Sequence, residues 1–208
     1  MVKYVDESFE ILTQIDGTSM LKQVERAGRS CYKSEDHITR DSHLKFARML
    51  VNRQHFSVIE HCSVSVRIIS NRGLTHELVR HRIASYSQES TRYCNYRKGK
   101  FGNQITVIDQ SKHFKDAAQV KAWKHAMEDA EKHYMGLIEA GTPAEIARGV
   151  LPIDVKTEIV ITANLREWRH IFTLRCSPAA HPNIRHVMGE LLNEFKSRIP
   201  VIFDDINP

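Results

Sequence analysis

A long helical pattern between residues 111 and 141 constrains the fold of this chain more than any other sequence feature. Apolar side chains recur there every three to five residues until Gly141, a residue that favours the end of a helix. We predict that this helix places its tryptophan and methionine side chains in the core. The pattern consists of Phe114, Ala118, Trp123, Met127, Ala130, Tyr134 and Ile138.

Shorter patterns predict further helices over residues 18–31, 41–54, 71–82 and 181–200. The first is expected to begin at a Thr/Ser cap, and the second has Leu44, Ala47, Leu50 and Val51 at helical spacing. A short helix is predicted after Gly141, where Thr142 and Glu145 have the spacing of a capping box. Helices therefore dominate the chain.

Four segments carry the alternating or β-branched residues of strands: 4–12, 62–70, 104–109 and 156–163. No G-x-G-x-x-G follows a strand, so a Rossmann motif is absent from the sequence. We predict an α+β fold in which a small mixed or antiparallel sheet packs with several long helices. The length of 208 residues, with neither repeats nor linkers, favours a single domain over residues 1–208.

The charge of the chain indicates what it binds. A net charge of +5 and a pI near 9.0 favour anionic partners, but no basic tail marks a nucleic-acid arm. No apolar run is long enough for a membrane span and the first residues are charged, so we expect a soluble, cytoplasmic protein without a membrane partner. The four cysteines lie far apart, which favours reduced thiols and no metal site.

One segment, RHRIASYSQESTRY at residues 80–93, concentrates cationic and hydroxyl side chains. Arg80, His81 and Arg82 are predicted to close the helix over 71–82, and the residues after them to form a polar loop. Cations at the C-terminus of a helix are one explanation, because they interact favourably with its dipole. A site that grips phosphates is another. A third is single-stranded nucleic acid stacked on Tyr86, Tyr93 and Tyr96.

The segment resembles the signature of the flavin-dependent thymidylate synthases, R-H-R followed by seven residues and S-x-R. Three more segments resemble that family in the expected order: HFSVIEH at 55–61, GTPAEIARGVLP at 141–152 and NLREWRHIFTLR at 164–175. The resemblance implies reductive methylation of dUMP to dTMP, with methylenetetrahydrofolate as carbon donor and FAD reduced by NADPH as hydride source. It also implies a homotetramer. A flavoprotein acting on another nucleotide substrate stays open as an alternative.

The resemblance also implies roles for individual residues. Arg175 would be catalytic, by stabilising negative charge on the uracil ring, and no enzyme nucleophile is expected, with Cys94 an incidental thiol. This chain has Ser87-Gln88-Glu89 where the family often has Asn-Glu, and His181-Pro182-Asn183 also departs from the usual pattern. The dUMP site would comprise Glu77, Gln88, Glu89, Ser90, Arg92, Arg148 and Arg175. The FAD site would comprise His55, Ser57, Glu60, Arg80, His81, Arg82, Asn164, Arg166 and His170.

Overall fold

Seven α-helices, six strands and several short 3₁₀ helices make up the regular structure of residues 1–207, which a computed structural model describes. The helices are α1 (Gly17–Ser30), α2 (Ser42–Asn52), α3 (Arg72–Leu78), α4 (Ala117–Glu139), α5 (Ala144–Ala147), α6 (Leu165–Arg175) and α7 (Pro182–Arg198). The strands are β1 (Lys3–Val5), β2 (Ser8–Ile11), β3 (Ser63–Asn71), β4 (Ala84–Gln88), β5 (Thr106–Ile108) and β6 (Lys156–Asn164). The α+β prediction is confirmed.

The strands form two sheets where the sequence predicted one. A four-stranded sheet has the order β2-β3-β6-β4, and β1 pairs in parallel with β5 so that Tyr4 lies opposite Val107. Strict alternation of buried and outward-facing residues in β6, and of buried Val64, Val66 and Ile68 in β3, explains why these two strands could be predicted. No described helix is long and apolar enough to cross a membrane.

Short polar side chains fix where the principal helices begin. The carboxylate of Asp16 accepts the backbone N–H of Ser19 at 3.0 Å, so α1 begins one residue earlier than predicted and with a different cap. Asp116 caps α4 in the same way, and this helix therefore begins after residue 116 instead of near 111. The predicted capping box between Thr142 and Glu145 was wrong, because α5 begins at Ala144 with Pro143 at its N-cap position and no side-chain cap.

Two predicted helix faces are less buried than expected. In α4 only Met127 and Tyr134 are buried, while Trp123 is half-buried and donates its indole N–H to Asp154 at 2.9 Å. Leu44 of α2 is exposed, although Ala47, Leu50 and Val51 face inward as predicted. The indole hydrogen bond explains why Trp123 stays close to a polar partner instead of entering the core.

The chain divides into two compact units, each assembled from separated segments. The first unit comprises Met1–Ser8, Ile68–Arg80 and Ser87–Ile159. Its core is formed by residues of β1, β5, α4 and the loop after β4, with Tyr134 and Tyr96 packed ring to ring at 5.7 Å. The second unit comprises Phe9–Arg67, His81–Tyr86 and the chain from Val160 onward. The single-domain assignment stays a prediction.

The core of the second unit is an aromatic cluster. Trp168 and Phe172 of α6 pack against each other and against Phe195 of α7, and Phe203 packs against Phe172 and Phe195, with ring centroids 5.1 to 5.7 Å apart. All four side chains are fully buried, and the Trp168 indole donates to the Val64 carbonyl at 3.0 Å. Because its apolar side packs into this cluster, α6 is held in a fixed orientation, and its polar side chains form the site described next.

Candidate functional site

The RHR segment lies outside regular structure, which corrects the prediction from sequence. Helix α3 ends at Leu78, so Arg80, His81 and Arg82 occupy the connection to β4 instead of the last turn of a helix. The residues after them, predicted as a loop, form strand β4. Leaving the helix allows neighbouring residues to take opposite environments: His81 is 4% exposed, whereas Arg80 and Arg82 are exposed to solvent.

His81 lies at the centre of a polar cluster in the second unit. Its Nε2 accepts a hydrogen bond of 3.0 Å from Nε of Arg175, and its Nδ1 lies 3.6 Å from a carboxylate oxygen of Glu167. The ring of His170 packs edge-on with a centroid distance of 5.4 Å. Burial lowers the pKa of His81 to about 4, assisted by the positive charge of Arg175 and by His170, so His81 is neutral at pH 7.

Tyr86 fixes the backbone of the same cluster. Its hydroxyl donates to the carbonyl of His81 at 2.8 Å. Burial raises the pKa of Tyr86 to about 12, the nearby carboxylate of Glu167 raises it further, and Arg175 opposes this. The phenol therefore remains a hydrogen-bond donor at neutral pH. The cluster as a whole brings two of the predicted site residues, His81 and Arg175, into direct contact.

The other predicted flavin residues of the second unit have varied partners. Glu60 and Arg166 form an exposed ion pair of 2.6 Å, and the Asn164 side chain caps α6 by accepting the backbone N–H of Glu167 at 2.8 Å. His55 and Ser57 line a cavity of about 350 Å³. This volume lies within the range of small-molecule pockets. Asn164 therefore has a structural function besides the predicted one.

The charges near these residues are compatible with a flavin diphosphate. Arg53 lines the same cavity, and Arg82 belongs to the RHR segment. Both are exposed, and neither guanidinium takes part in an ion pair with any residue the structure describes. An arginine without an acidic partner can bind phosphate oxygens without first losing an ion pair.

Gln88 is held by two threonines in the first unit. Its amide nitrogen donates to the hydroxyl of Thr75 at 2.9 Å and to that of Thr157 at 3.3 Å. Thr75 in turn donates to the carbonyl of Arg72, so its hydroxyl oxygen must accept from Gln88. A glutamate at position 88 could not donate to Thr75, which explains why an amide suits this chain where a carboxylate is frequent in the resembling family.

Glu89 is enclosed by donors and is not available as a free charge. Its carboxylate accepts from the hydroxyl of Tyr96 and from the ammonium of Lys156, both at 3.1 Å, and Lys156 also pairs with Glu158. Burial raises the pKa of Tyr96, and the negative charge of Glu89 raises it further, so the phenol keeps its proton. The network anchors the chain immediately before Ser90.

Ser90 and Arg92 follow in a turn. The carbonyl of Ser90 accepts the backbone N–H groups of Tyr93 and Cys94 at 3.1 and 2.9 Å, and its hydroxyl accepts that of Arg92 at 3.3 Å. The Arg92 guanidinium pairs with Glu145 at 2.9 Å, with both side chains about half exposed. Arg148 donates to Thr91 at 3.5 Å. Glu77, Gln88, Glu89, Ser90, Arg92 and Arg148 thus all belong to the first unit, and Arg175 to the second.

The nucleic-acid alternative loses support, and the environment of Cys94 fits the incidental thiol expected from the sequence. Tyr96 is 5% exposed and Tyr86 is half-buried, which leaves Tyr93 as the one exposed ring of the three proposed to stack bases. Burial raises the pKa of the Cys94 thiol, with the charge of Glu89 acting in the same direction. The thiol is therefore protonated at neutral pH and poorly suited to be a nucleophile.

Several partners of the predicted residues were missed in the sequence. No nearby sequence pattern marks Glu167, Thr75 or Tyr96 as a partner of a site residue, because only the folded chain brings each of them next to that residue. Lys156 did have one: polar residues alternate with apolar ones in β6, which placed Lys156 and Glu158 on the same face of the strand. Glu145 lies inside the 141–152 segment and was interpreted as part of a cap.

Comparison with known proteins identifies the family of the chain. Residues 14–201 match the family model described as thymidylate synthase complementing protein. A protein named flavin-dependent thymidylate synthase from Geobacter sulfurreducens is 36% identical over 189 residues, covering 88% of this chain and 80% of the relative. One of the same name from Pyrococcus furiosus is 35% identical over 177 residues, covering 85% of this chain and 70% of the relative.

A solved structure shares the fold. The crystal structure of a UMP/dUMP methylase, PolB from Streptomyces cacaoi bound with 5-Br dUMP, superimposes with a TM-score of 0.79. The alignment covers 98% of this chain and 95% of that protein at 23% sequence identity. At this identity the similarity establishes a common fold.

The neutral state of His81 leads to a prediction about stability. An unfolded histidine takes up its proton near pH 6.5 and the folded one near pH 4, so the unfolded state binds more protons between these values. The contribution is present above pH 6.5 and is lost as the pH falls. We expect the stability difference between wild type and His81→Gln to fall by about 2 to 3 kcal/mol between pH 7 and pH 4.5, measured by urea unfolding. A difference independent of pH would show that His81 is not buried in its neutral form.

Proposed function

Because this chain belongs to the thymidylate synthase complementing protein family, whose matched relatives are named flavin-dependent thymidylate synthases, we propose that it converts dUMP to dTMP by reductive methylation. The family match over residues 14–201 carries the proposal, because every predicted site residue lies inside it. In the full reaction proposed, FAD reduced by NADPH supplies a hydride and methylenetetrahydrofolate supplies the one-carbon unit.

The cofactor would be held by the residues that the family resemblance implies. His55 and Ser57 line the cavity of about 350 Å³, and Arg80 and Arg82 are exposed cations suited to phosphate oxygens. His81 and His170 would contact the cofactor with their imidazole rings. Asn164, Arg166 and Glu60 would contribute polar contacts. The cations would offset the repulsion between the anionic groups of cofactor and nucleotide.

The nucleotide would be bound mainly by the turn after β4. Ser90 and Arg92 offer a hydroxyl and a guanidinium, and Arg148 a second guanidinium, as phosphate ligands. Gln88 is held by Thr75 and Thr157, so its carbonyl oxygen is oriented by the two hydrogen bonds of its amide nitrogen. Glu77 and Glu89 complete the proposed site, Glu89 chiefly by anchoring the turn through Lys156 and Tyr96.

Arg175 would supply the catalytic charge. A guanidinium stays protonated at any pH at which the protein is folded, so Arg175 can stabilise negative charge that develops on a uracil carbonyl. The neutral state of His81 supports this role, because a protonated imidazole 3.0 Å from the guanidinium would repel it. No thiolate is required, in agreement with the raised pKa of Cys94.

The direct test is product formation with defined substrates. Purified protein supplied with FAD, NADPH, methylenetetrahydrofolate and dUMP should form dTMP, detected by mass spectrometry, and omission of any one component should abolish it. An assay with UMP in place of dUMP tests an alternative substrate. UMP is the natural choice because the protein with the same fold is a UMP/dUMP methylase. Protein that neither binds FAD in a titration nor forms dTMP would contradict the proposal.

Replacement of Arg175 separates its charge from its geometry. Arg175→Lys keeps the positive charge but loses the planar fork, so the rate of dTMP formation should fall about 10²- to 10³-fold. The matched control is Arg198→Lys, an exposed arginine paired with Glu194 on α7, which should retain the wild-type rate. Equal rates in wild type and Arg175→Lys would remove Arg175 from the mechanism.

We also propose the homotetramer that the family resemblance implies. Three ligands are difficult to enclose within 208 residues, and Ile83, Ile146 and Ile153 are 71, 67 and 57% exposed in the isolated chain. Sedimentation velocity should report a tetramer. Refolding Arg92→Ala together with Arg175→Ala should restore some dTMP synthesis if the two residues reach a site from different subunits, and none if they come from the same subunit. A fully active monomer would contradict the assembly but leave the reaction proposal intact.

A further inference from the structure

The buried carboxylate of Glu167 has no part in the reaction proposed above. Glu167 lies in the first turn of α6 and is 7% exposed, yet no basic residue forms an ion pair with it other than the imidazole of His81 at 3.6 Å, among the residues the structure describes. Burial raises its pKa, opposed by the charges of His170 and Arg166. A buried acid is costly to retain, so its contacts require a physical explanation.

The direction of the hydrogen bonds around His81 is fixed by Arg175. A guanidinium has donors and no acceptor, so Nε2 of His81 must accept from Nε of Arg175. A neutral imidazole carries one proton, which must then reside on Nδ1. That nitrogen is the one that faces Glu167. The imidazole of His81 therefore lies between the two charged groups: Nε2 accepts from the guanidinium, and Nδ1–H faces the carboxylate at 3.6 Å, just beyond a direct hydrogen bond.

We propose that Glu167 is a positioning residue that holds the Nδ1–H tautomer of His81 and, through that ring, fixes the guanidinium of Arg175. The consequence for catalysis rests on the proposed function, because it assumes that Arg175 contacts the uracil ring. The tautomer itself does not depend on that assumption. Tyr86 supports the arrangement from the other side by donating to the His81 carbonyl, which restrains the backbone that carries the ring.

A metal ion is the competing interpretation of the same residues. One ligand atom each of His81, Glu167 and His170 lies within 4.8 Å of the others. An ion bound to Nδ1 of His81 would move the proton to Nε2, where it would point at the N–H of Arg175. The positive guanidinium would also repel a cation. The hydrogen bond from Arg175 therefore favours the positioning role over a metal site.

The tautomer can be measured directly. In protein with ¹⁵N-labelled histidine, long-range ¹H–¹⁵N correlation shows which ring nitrogen carries the proton, and the His81 signals are identified by their absence in His81→Gln. Wild type should show Nδ1–H. Glu167→Leu removes the carboxylate that faces Nδ1–H and should populate the Nε2–H form in part, with loss of the hydrogen bond from Arg175, whereas Glu167→Gln, whose amide oxygen can accept, should retain Nδ1–H. An unchanged tautomer in Glu167→Leu would overturn the proposal, as would a shift of the His81 signals on adding Zn²⁺ at equimolar concentration.

Kinetics and a matched control separate positioning from stability. At saturating substrates Glu167→Leu should lower the rate of dTMP formation roughly 10- to 100-fold, the range for residues that orient a functional imidazole, and Glu167→Gln should restore most of it. Glu25→Gln removes another buried carboxylate, which pairs with Arg29 at 2.7 Å far from His81 in sequence. It should lower the free energy of unfolding but leave the His81 signals and the rate unchanged.

The NMR and kinetic experiments together distinguish failure of this proposal from failure of the proposed function. If wild type forms no dTMP, the NMR result still decides whether Glu167 sets the tautomer. If wild type forms dTMP and Glu167→Leu does so at the same rate, the positioning role is wrong and the proposed function stands. If Glu167→Leu does not fold, an Nε2–H tautomer in Glu167→Gln, which keeps an acceptor in place, would overturn the proposal, and retained Nδ1–H would support it.

Discussion

The hydrogen bond from Arg175 to His81 is the constraint on which the candidate site of the second unit depends. A guanidinium can only donate and burial lowers the pKa of His81, so the pair requires a neutral ring whose proton lies on Nδ1, the nitrogen that faces Glu167. The aromatic cluster of α6 and α7 supports the pair, because it holds the helix that carries Arg175.

Periodicity predicted the elements whose two faces differ in polarity. Strands β3 and β6 alternate apolar and polar side chains, and α7 has a continuous apolar face, so these elements could be predicted from sequence. Strand β4, with the sequence ASYSQ, could not, because its residues are polar on both faces and resemble a loop. The end of α3 was also missed, since neither glycine nor proline marks it. The chain leaves the helix where His81 becomes buried, which is a tertiary effect.

Site residues that lie within one sequence motif could be predicted, whereas their partners from distant parts of the chain could not. The motif located Arg80, His81, Arg82, Ser90 and Arg92 because their spacing is contained within one segment. It could not identify their partners, since Arg175 lies 94 positions from His81 and Lys156 lies 67 from Glu89. The sequence therefore predicts which groups are able to bind anions, whereas the structure shows which of these groups already form hydrogen bonds or ion pairs with other residues.

Arg92 and Arg175 have different partners in the structure and therefore differ in how readily each can bind a ligand. Arg92 pairs with Glu145 at the surface, where an ion pair contributes about 0 to 1 kcal/mol, so a phosphate can replace the carboxylate at little cost. Arg175 contacts a buried ring, and losing that contact would leave the Nε2 acceptor of His81 unsatisfied, at a cost of about 1 to 3 kcal/mol. In the reaction we propose, Arg92 is therefore suited to exchange its carboxylate partner for a nucleotide phosphate. Arg175 is suited to keep its position beside His81.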